Sequence, residues 1–356
     1  MRRLVEGAFP SVAAVVAGLL IGAVVILAAG DNPLEVYSIL FGSAFGSIEG
    51  LSYTLFFATP LIFTGLAVGL GFRAGLFNIG AEGQLHLGAF AAVWVALTFA
   101  GMPAVVLVPA CILAAALAGG VWGWIPGALK ARFGIHEVIN TIMMNFIAIG
   151  LTNYLVTQPY RAPGDQVPQT LLITESARIP RLSALFPWLF SERSGLNAAF
   201  FLAIVMCVAV YLLFSRTKLG FEIRATGLNP NAAKTSGINV ARITALSMAL
   251  SGALAGLVGV HEVLGYRYRF FDGFSPGYGF LGIAVALLGR NHPAGIVLAS
   301  IFFGGLVRGG IRVDVFSENV SKDVVLAIEG IIMVALCAEQ VFRRILPRPE
   351  GVVSCQ

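Results

Sequence analysis

The chain has 356 residues, of which 58% are apolar and only 12% charged, with a net charge of +5. Soluble globular domains carry about 25% charged residues, so a cytosolic enzyme, a secreted domain and a disordered chain are all excluded. Some 206 apolar residues, at about 20 per crossing, furnish about ten crossings, which describes an all-α, polytopic membrane helix bundle.

In chain order, Arg2-Arg3 precede an apolar run too long for a cleaved leader, so it reads as an uncleaved first span. Apolar runs predict helices at 8–30, 52–71, 78–100, 103–127, 136–158, 196–214, 243–264, 279–289, 294–308 and 322–341. The eighth and ninth are short and separated by Arg290-Asn291-His292-Pro293. They form either two crossings or a re-entrant hairpin, so the bundle has eight to ten transmembrane helices in a single domain over 1–356. The cations sort 14 to 9 between the two sides, which puts both termini and Arg2, Arg3, Arg343, Arg344 and Arg348 inside. Their excess is a topological signal, not a sign of nucleic-acid binding.

Two loops stand out. The outer one, 159–195, contains Pro159, Pro163, Pro168, Pro180 and Pro187 and is expected to be irregular and exposed. The inner one, 215–242, holds five cations and one acid; Gly227 and Asn229-Pro230 predict two short helices and a turn within 220–238. Glycines recur at four-residue spacing (65/69, 71/75, 119/123, 123/127, 252/256, 305/309), which lets helix backbones approach closely in lipid. Gly277-Tyr278-Gly279-Phe280-Leu281-Gly282 has the glycine spacing of a dinucleotide loop. An apolar helix follows it, and no acid stands about 20 residues on, so helix packing is the better reading. Cys111, Cys207, Cys337 and Cys355 are far apart, the four histidines lie in separate segments, and neither set predicts a metal site or disulfide framework. No phosphate-binding loop of the G-x-x-x-x-G-K type is present, so this chain is not expected to hydrolyse ATP.

Polar residues inside apolar runs carry the functional signal. Asn78, Glu82, Gln84 and His86 open the third span, with Gly75, Gly80 and Gly83 loosening it. A carboxylate at depth costs on the order of 3 kcal/mol, so it needs a partner or a wet cavity. The pattern predicts a broken helix lining a substrate path, or else a polar knot that holds helices together. Asn140, Thr141, Asn145, Thr152 and Asn153 extend the theme in the fifth span, where Asn145, Thr152 and Asn153 share a face. Glu329 is a further acid in the last span.

The stretch from Phe72 to Gln84, FRAGLFNIGAEGQ, resembles the signature of permease subunits of bacterial ABC importers, in the family that handles ribose-type sugars and branched-chain amino acids. The segments 136–146, HEVINTIMMNF, and 277–293, GYGFLGIAVALLGRNHP, are similar to motifs of its nucleoside and simple-sugar branch. The resemblance covers roughly residues 50–335.

That resemblance implies an inverted repeat with discontinuous helices, location in the bacterial inner membrane and a periplasmic position for 159–195. It also implies that 215–242 is the coupling loop that docks on a separate cytoplasmic ATPase, with Glu222, Arg224, Gly227, Asn229 and Lys234 as coupling residues. No cofactor is expected on this chain; ATP and Mg belong to the partner ATPase. Further expected partners are a second permease subunit, either a related chain or a second copy, and a periplasmic or lipid-anchored binding protein; membrane lipid surrounds the chain, and nucleic acid is not a partner. The expected path residues are Phe77, Asn78, Glu82, Gln84, His86, Asn140, Asn145, Tyr278 and Phe280. The amides and carboxylate suit ribose hydroxyls, and Phe77, Phe146, Tyr278 and Phe280 suit stacking on a base, so a nucleoside is the expected cargo. A pentose or a branched-chain amino acid is the alternative within the class, and an ion-coupled secondary transporter the alternative outside it.

Overall fold

The computed structural model describes residues 2–164, 166–188, 190, 194–317 and 319–337, with side chains described from Val12 onward. Arg193, Arg343, Arg344, Arg348 and Cys355 lie outside the described residues, as do the side chains of Arg2 and Arg3. The helices are α1 (Arg2–Ala28), α2 (Pro33–Phe45), α3 (Ile48–Arg73), α4 (Ala81–Thr98), α5 (Ala104–Phe133), α6 (Glu137–Thr157) and α7 (Leu182–Leu185). They continue with α8 (Ala199–Arg216), α9 (Lys218–Leu228), α10 (Pro230–Thr235), α11 (Val240–Gly256), α12 (Tyr278–Leu288), α13 (Pro293–Phe316) and α14 (Lys322–Cys337). A π-helical stretch, Val260–Arg267, extends α11, and a 3-10 turn spans Glu175–Ala177. Extended pairing among the described residues amounts to isolated bridges, so the chain is all-α as expected.

Each of the ten predicted runs is a helix. Among the described residues six stretches are long and apolar enough to cross a membrane: α3, α5, α6, α8, Val240–Arg267 and α13; Val12–Ala28 and Tyr278–Leu288 are shorter apolar helices. The ninth run is longer than expected, because α13 continues through Arg308 and Arg312 to Phe316. α2 was not expected; its 13 residues are too few to register as a span. Residues 220–238 form two short helices and a turn, as the glycine and Asn-Pro signals imply.

The described residues fall into two compact units, Met1–Gly42 with Gly309–Gln356, and Ser43–Arg308. In the first, α1 packs on α14: a Cβ on Gly18 would lie 2.3 Å from Ile332 Cγ1, and one on Gly22 2.7 Å from Ile328 Cγ1. Asp31, in the turn after α1, accepts hydrogen bonds from the side chains of Ser317 and Asn319. Those bonds, Ser317 first, hold its carboxyl below the usual carboxylate range against a smaller opposing effect of desolvation. Glu329 is buried on α14.

In the larger unit α3 is central: 83% of its spanning stretch is buried, against 28% for α5 and 22% for α6 and α8. The outer helices therefore present apolar stripes to lipid. On α6 the stripe is Ile139, Met143, Phe146, Ile147, Leu151 and Tyr154, while Thr141, Asn145, Ala148 and Thr152 face inward. Asn145 and Thr152 thus share the buried face as expected, and Asn153 stands at its half-buried edge.

The closest helix pair is α5 with α11, and it depends on glycine. A Cβ on Gly252 would lie 2.2 Å from the Gly119 carbonyl oxygen, and one on Gly256 2.3 Å from that of Ala115. Gly65 and Gly69 instead receive side chains, Val285 and Ile296. The 71/75 pair is a correction: Gly75 lies past the end of α3 in a left-handed turn (φ 71°), so the spacing does not mark a helix contact there. The outer loop is also a correction in part. It is irregular, but Thr170, Ile173 and Ile179 donate backbone hydrogen bonds at 2.9 Å to the carbonyls of Phe270, Tyr268 and Leu264, and Ile173, Ala177 and Ile179 are buried. Proline removes donors and regular structure there without releasing the loop from the bundle.

Gly252→Ala should destabilise the protein by about 1–3 kcal/mol, because the nearest atom to the new methyl is a backbone oxygen that cannot give way. Gly150→Ala on α6, where nothing lies within 4 Å, should leave stability unchanged or raise it by up to about 1 kcal/mol. Thermal unfolding of both variants in detergent checks the contrast.

Candidate functional site

The polar stretch is a break between α3 and α4. α3 stops at Arg73, residues 74–80 are not helical, and α4 starts at Ala81. Such a break exposes backbone groups that lipid cannot satisfy. Here side chains satisfy them. Asn78 Oδ1 accepts the N–H of Gly80 at 3.0 Å, and Asn145 Nδ2 on α6 donates to the Ile79 carbonyl at 2.9 Å. Asn145 Oδ1 accepts the N–H of Gly83 in the first turn of α4 at 2.8 Å. Asn78 and Gln84 exchange two amide bonds of 2.9 and 3.1 Å. Asn78 Nδ2 also donates to Ser251 Oγ on α11 at 2.7 Å, and Ser251 donates to the Ala67 carbonyl on α3 at 2.6 Å. Glu137 accepts the Phe77 N–H at 3.3 Å and the Lys130 ammonium at 2.5 Å.

Asn78, Gln84 and Asn145 are therefore brought together, buried and bonded to one another or to backbone, in the arrangement of a polar knot. Asn140 stands apart on α6, half-buried, with its Nδ2 unpartnered among the described residues.

Glu82 belongs to a second cluster on the α4 side of the break. Its Oε2 accepts the N–H of Gly279 at 2.7 Å, and its Oε1 lies 3.7 Å from His86 Nε2. A Cβ on Gly279 would meet the Glu82 nitrogen at 2.4 Å, so the starts of α4 and α12 touch backbone to backbone. The carboxylate thus caps α12, where the positive end of the helix dipole favours it. Tyr278 OH donates to Glu262 Oε1 at 3.2 Å, so two buried acids hold the first two residues of α12. Glu262 lies in the π-helical stretch beside His261, and the sequence marks the two only as part of a recurring tripeptide, with no site role. The repeated His-Glu-Val at 136 and 261 was the available signal. Above His86, Phe274 and Phe270 (centroids at 4.7 and 6.3 Å) and then Phe90 and Tyr160 build an aromatic layer that sequence reading also missed.

The expected stacking set does not converge within this chain. Tyr278 is buried on Glu262, Phe77 is exposed and packs edge-on against Phe72, and Phe146 and Phe280 are on exposed helix faces. Helix periodicity separates them: residues chosen for their type in three motifs need not share a face.

At the inner end, Thr217 caps α9 and Asn229, followed by Pro230, caps α10 through the N–H groups of Asn231 and Ala232 (3.0 and 3.1 Å). Glu222 pairs with Lys218 at 3.7 Å, Lys234 is exposed, and Arg224 is partly buried. Gly227 is fixed by contact: a Cβ there would lie 2.3 Å from the Arg73 carbonyl oxygen, and one on Gly75 3.1 Å from Gly227 Cα. The α9–α10 corner thus rests directly on the break. Arg73 donates from Nε to the Asn291 carbonyl at 3.1 Å, which ties the same point to the turn between α12 and α13. Phe221 and Leu228 are exposed on α9, so the surface of this knob is apolar as well as charged.

Glu82→Ala leaves the Gly279 N–H buried without an acceptor and should cost about 1–3 kcal/mol in detergent stability. Glu82→Gln keeps a carbonyl acceptor and should lose distinctly less. Equal stability of both variants and the parent protein would remove the capping role.

Residues 50–337 match the model of the family described as branched-chain amino acid transport system / permease component. The guanosine ABC transporter permease protein NupP of Bacillus subtilis is 42% identical over 320 residues, 88% of this chain and 89% of that one. The glucose ABC transporter permease protein TsgB13 of Haloferax volcanii is 38% identical over 335 residues, covering 93% and 87%. A second guanosine ABC transporter permease protein of Bacillus subtilis, NupQ, is 30% identical over 252 residues, covering 70% and 78%. With its bundle of membrane-length apolar helices and a match over most of its length, this multi-pass membrane protein belongs to the branched-chain amino acid transport system permease-component family.

Proposed function

We propose that this chain is the permease subunit of an ATP-driven importer in the bacterial inner membrane, with both termini cytoplasmic, and that its cargo is a nucleoside. The observation that carries the mechanism is the contact of Gly227 with Arg73 and Gly75, which sets the α9–α10 knob against the break between α3 and α4. A separate ATPase, holding ATP and Mg, docks on the knob; the exposed Phe221 and Leu228 beside Glu222 and Lys234 suit a protein partner. Movement of the knob displaces the break, and with it the starts of α4 and α12 that Glu82 joins. The chain itself makes and breaks no bond. Its work is to alternate between states that differ in affinity for the cargo.

A simple sugar is the second reading, favoured by the glucose permease among the relatives. Two guanosine permease proteins of one bacterium both resemble this chain, which supports a partnership with a related second permease. A binding protein on the outer side delivers the cargo.

In vesicles holding the full complex, guanosine uptake should follow ATP, survive collapse of proton and sodium gradients, and resist competition by glucose. Uptake by this chain alone on an ion gradient would overturn the importer reading in favour of a secondary transporter. Gly227→Val should separate the knob from Arg73, leaving the chain in the membrane while ATP-driven uptake falls at least about tenfold, as expected when a buried contact of this kind is lost. Unchanged uptake would disconnect the knob from the path.

A further inference from the structure

Four membrane-length stretches, α3, α5, α8 and α11 with its extension, border a narrow groove of about 280 Å3. Every residue lining it is apolar, and Ala116, Ala209 and Ala253 leave the room. Ala209 is exposed and Met206 and Leu213 are half-buried, so the groove opens on the surface of the spanning helices. Leu70 and Leu213 lie at the end nearest the knob, one turn before α3 stops at Arg73 and α8 at Arg216.

That end carries a pair of cations and no anion. The Arg73 guanidinium lies over the ring of Phe214, which follows Leu213 in the chain, 5.4 Å from its centroid. Arg224 stands one turn before Gly227, whose backbone meets that of Arg73, and the two guanidiniums are close enough to repel each other. Neither has a carboxylate within ion-pair distance among the described residues. Arg73 spends its Nε on the Asn291 carbonyl, and the Nε of Arg224 is shut in. The terminal nitrogens of both are neither enclosed nor bonded among the described residues. Like charges held together at a half-buried place cost free energy that a shared anion removes. Their planar forks of N–H groups match the oxygens of a phosphate.

We propose that the groove and the Arg73–Arg224 pair form one site for an anionic phospholipid, with an acyl chain along the groove and the headgroup phosphate on the guanidiniums. In a membrane the groove holds an acyl chain by shape alone, since the chain leaves one hydrocarbon surrounding for another. The choice of lipid therefore falls to the headgroup, and uncompensated cations at the membrane surface select negative charge. A zwitterionic headgroup brings a cation of its own to the pair, and a protein helix in the groove leaves the pair unneutralised. The bound phosphate joins the end of α3 to α9. The inference needs neither the ATPase assignment nor the identity of the cargo, so it stands or falls apart from the proposed function.

The test places the purified full chain in nanodiscs of mixed phosphatidylcholine and phosphatidylglycerol and counts, by native mass spectrometry, the lipid retained on transfer to detergent. Phosphatidylglycerol should be retained in preference. Arg224→Gln should lower its retention about tenfold, as expected for the loss of a bond to a charged group. Ala209→Phe fills the groove from its exposed side without touching a charge, and should also release the lipid. Arg132→Gln, which removes an exposed cation from the end of α5, should not. Thermal unfolding in detergent verifies that the variants are folded. Equal retention of the two lipids, retention that survives Arg224→Gln or Ala209→Phe in a folded chain, or an equal loss in Arg132→Gln would overturn the proposal. So would a second copy of the chain held in place of lipid and released by Ala209→Phe, which would give the groove to a protein partner.

Discussion

A helix that breaks inside hydrocarbon leaves donors and acceptors that lipid cannot take, so the break must be satisfied by the protein or not exist. In this chain the gap between Arg73 and Ala81 is satisfied by Asn78, Asn145, Gln84 and Ser251, drawn from the gap itself and from α4, α6 and α11. Four elements are thereby held at one point by bonds that each leave a buried polar atom unpaired if removed. That cost, rather than the net worth of any single hydrogen bond, makes the junction rigid. Asn78, Gln84 and Asn145 bond to backbone and to one another, the polar knot that the sequence offers beside a substrate path.

Close helix contact is the second requirement, because a short polar side chain can bridge two helices only where their backbones nearly touch. Ser251 reaches Ala67 of α3 from a helix whose neighbouring glycine, Gly252, lies against Gly119 of α5. Without the hydrophobic effect to drive helices together in lipid, small residues and such bonds do the holding. The glycines of 277–282 follow the same rule. Gly279 meets the start of α4 and Gly282 meets Thr64 of α3. The dinucleotide-loop spacing of this motif is a by-product of packing on two helices.

Most of the fold is legible in the sequence, since helices in lipid are long apolar runs and breaks are marked by glycine, amides and Asn-Pro. α2 escapes because its 13 residues fall below the length at which a run declares itself. The docking of the outer loop on 264–272 escapes because backbone hydrogen bonds carry no residue signature. At the site, the polar residues of the break are legible one by one, but their division into two clusters is not. Glu82 faces α12 while Asn78 reaches Ser251 on α11 and Gln84 bonds to Asn78 beside Gly123 of α5, a difference set by helix phase and by which neighbour lies there. Glu262, Phe270 and Phe274 escape because the π-helical stretch and the segment after it place them, and neither has a periodic pattern.

The two ends of the break answer to different neighbours. Its inner end bears on Gly227 of the α9–α10 corner and, through Arg73, on the turn between α12 and α13. Its outer end, through Glu82, holds the first turn of α12. α12 is therefore gripped at both ends by groups attached to one short irregular segment, and it is only 11 residues long. A displacement imposed on the corner cannot be absorbed inside the knot of amides without unpairing buried groups, so it passes to the elements at the edge of the knot. Of those, α12 is the shortest, and its first two residues are held by the carboxylates of Glu262 and Glu82. Phe270 and Phe274 of the aromatic layer beside His86 precede it directly, in the segment 268–277 that joins the π-helical stretch to α12.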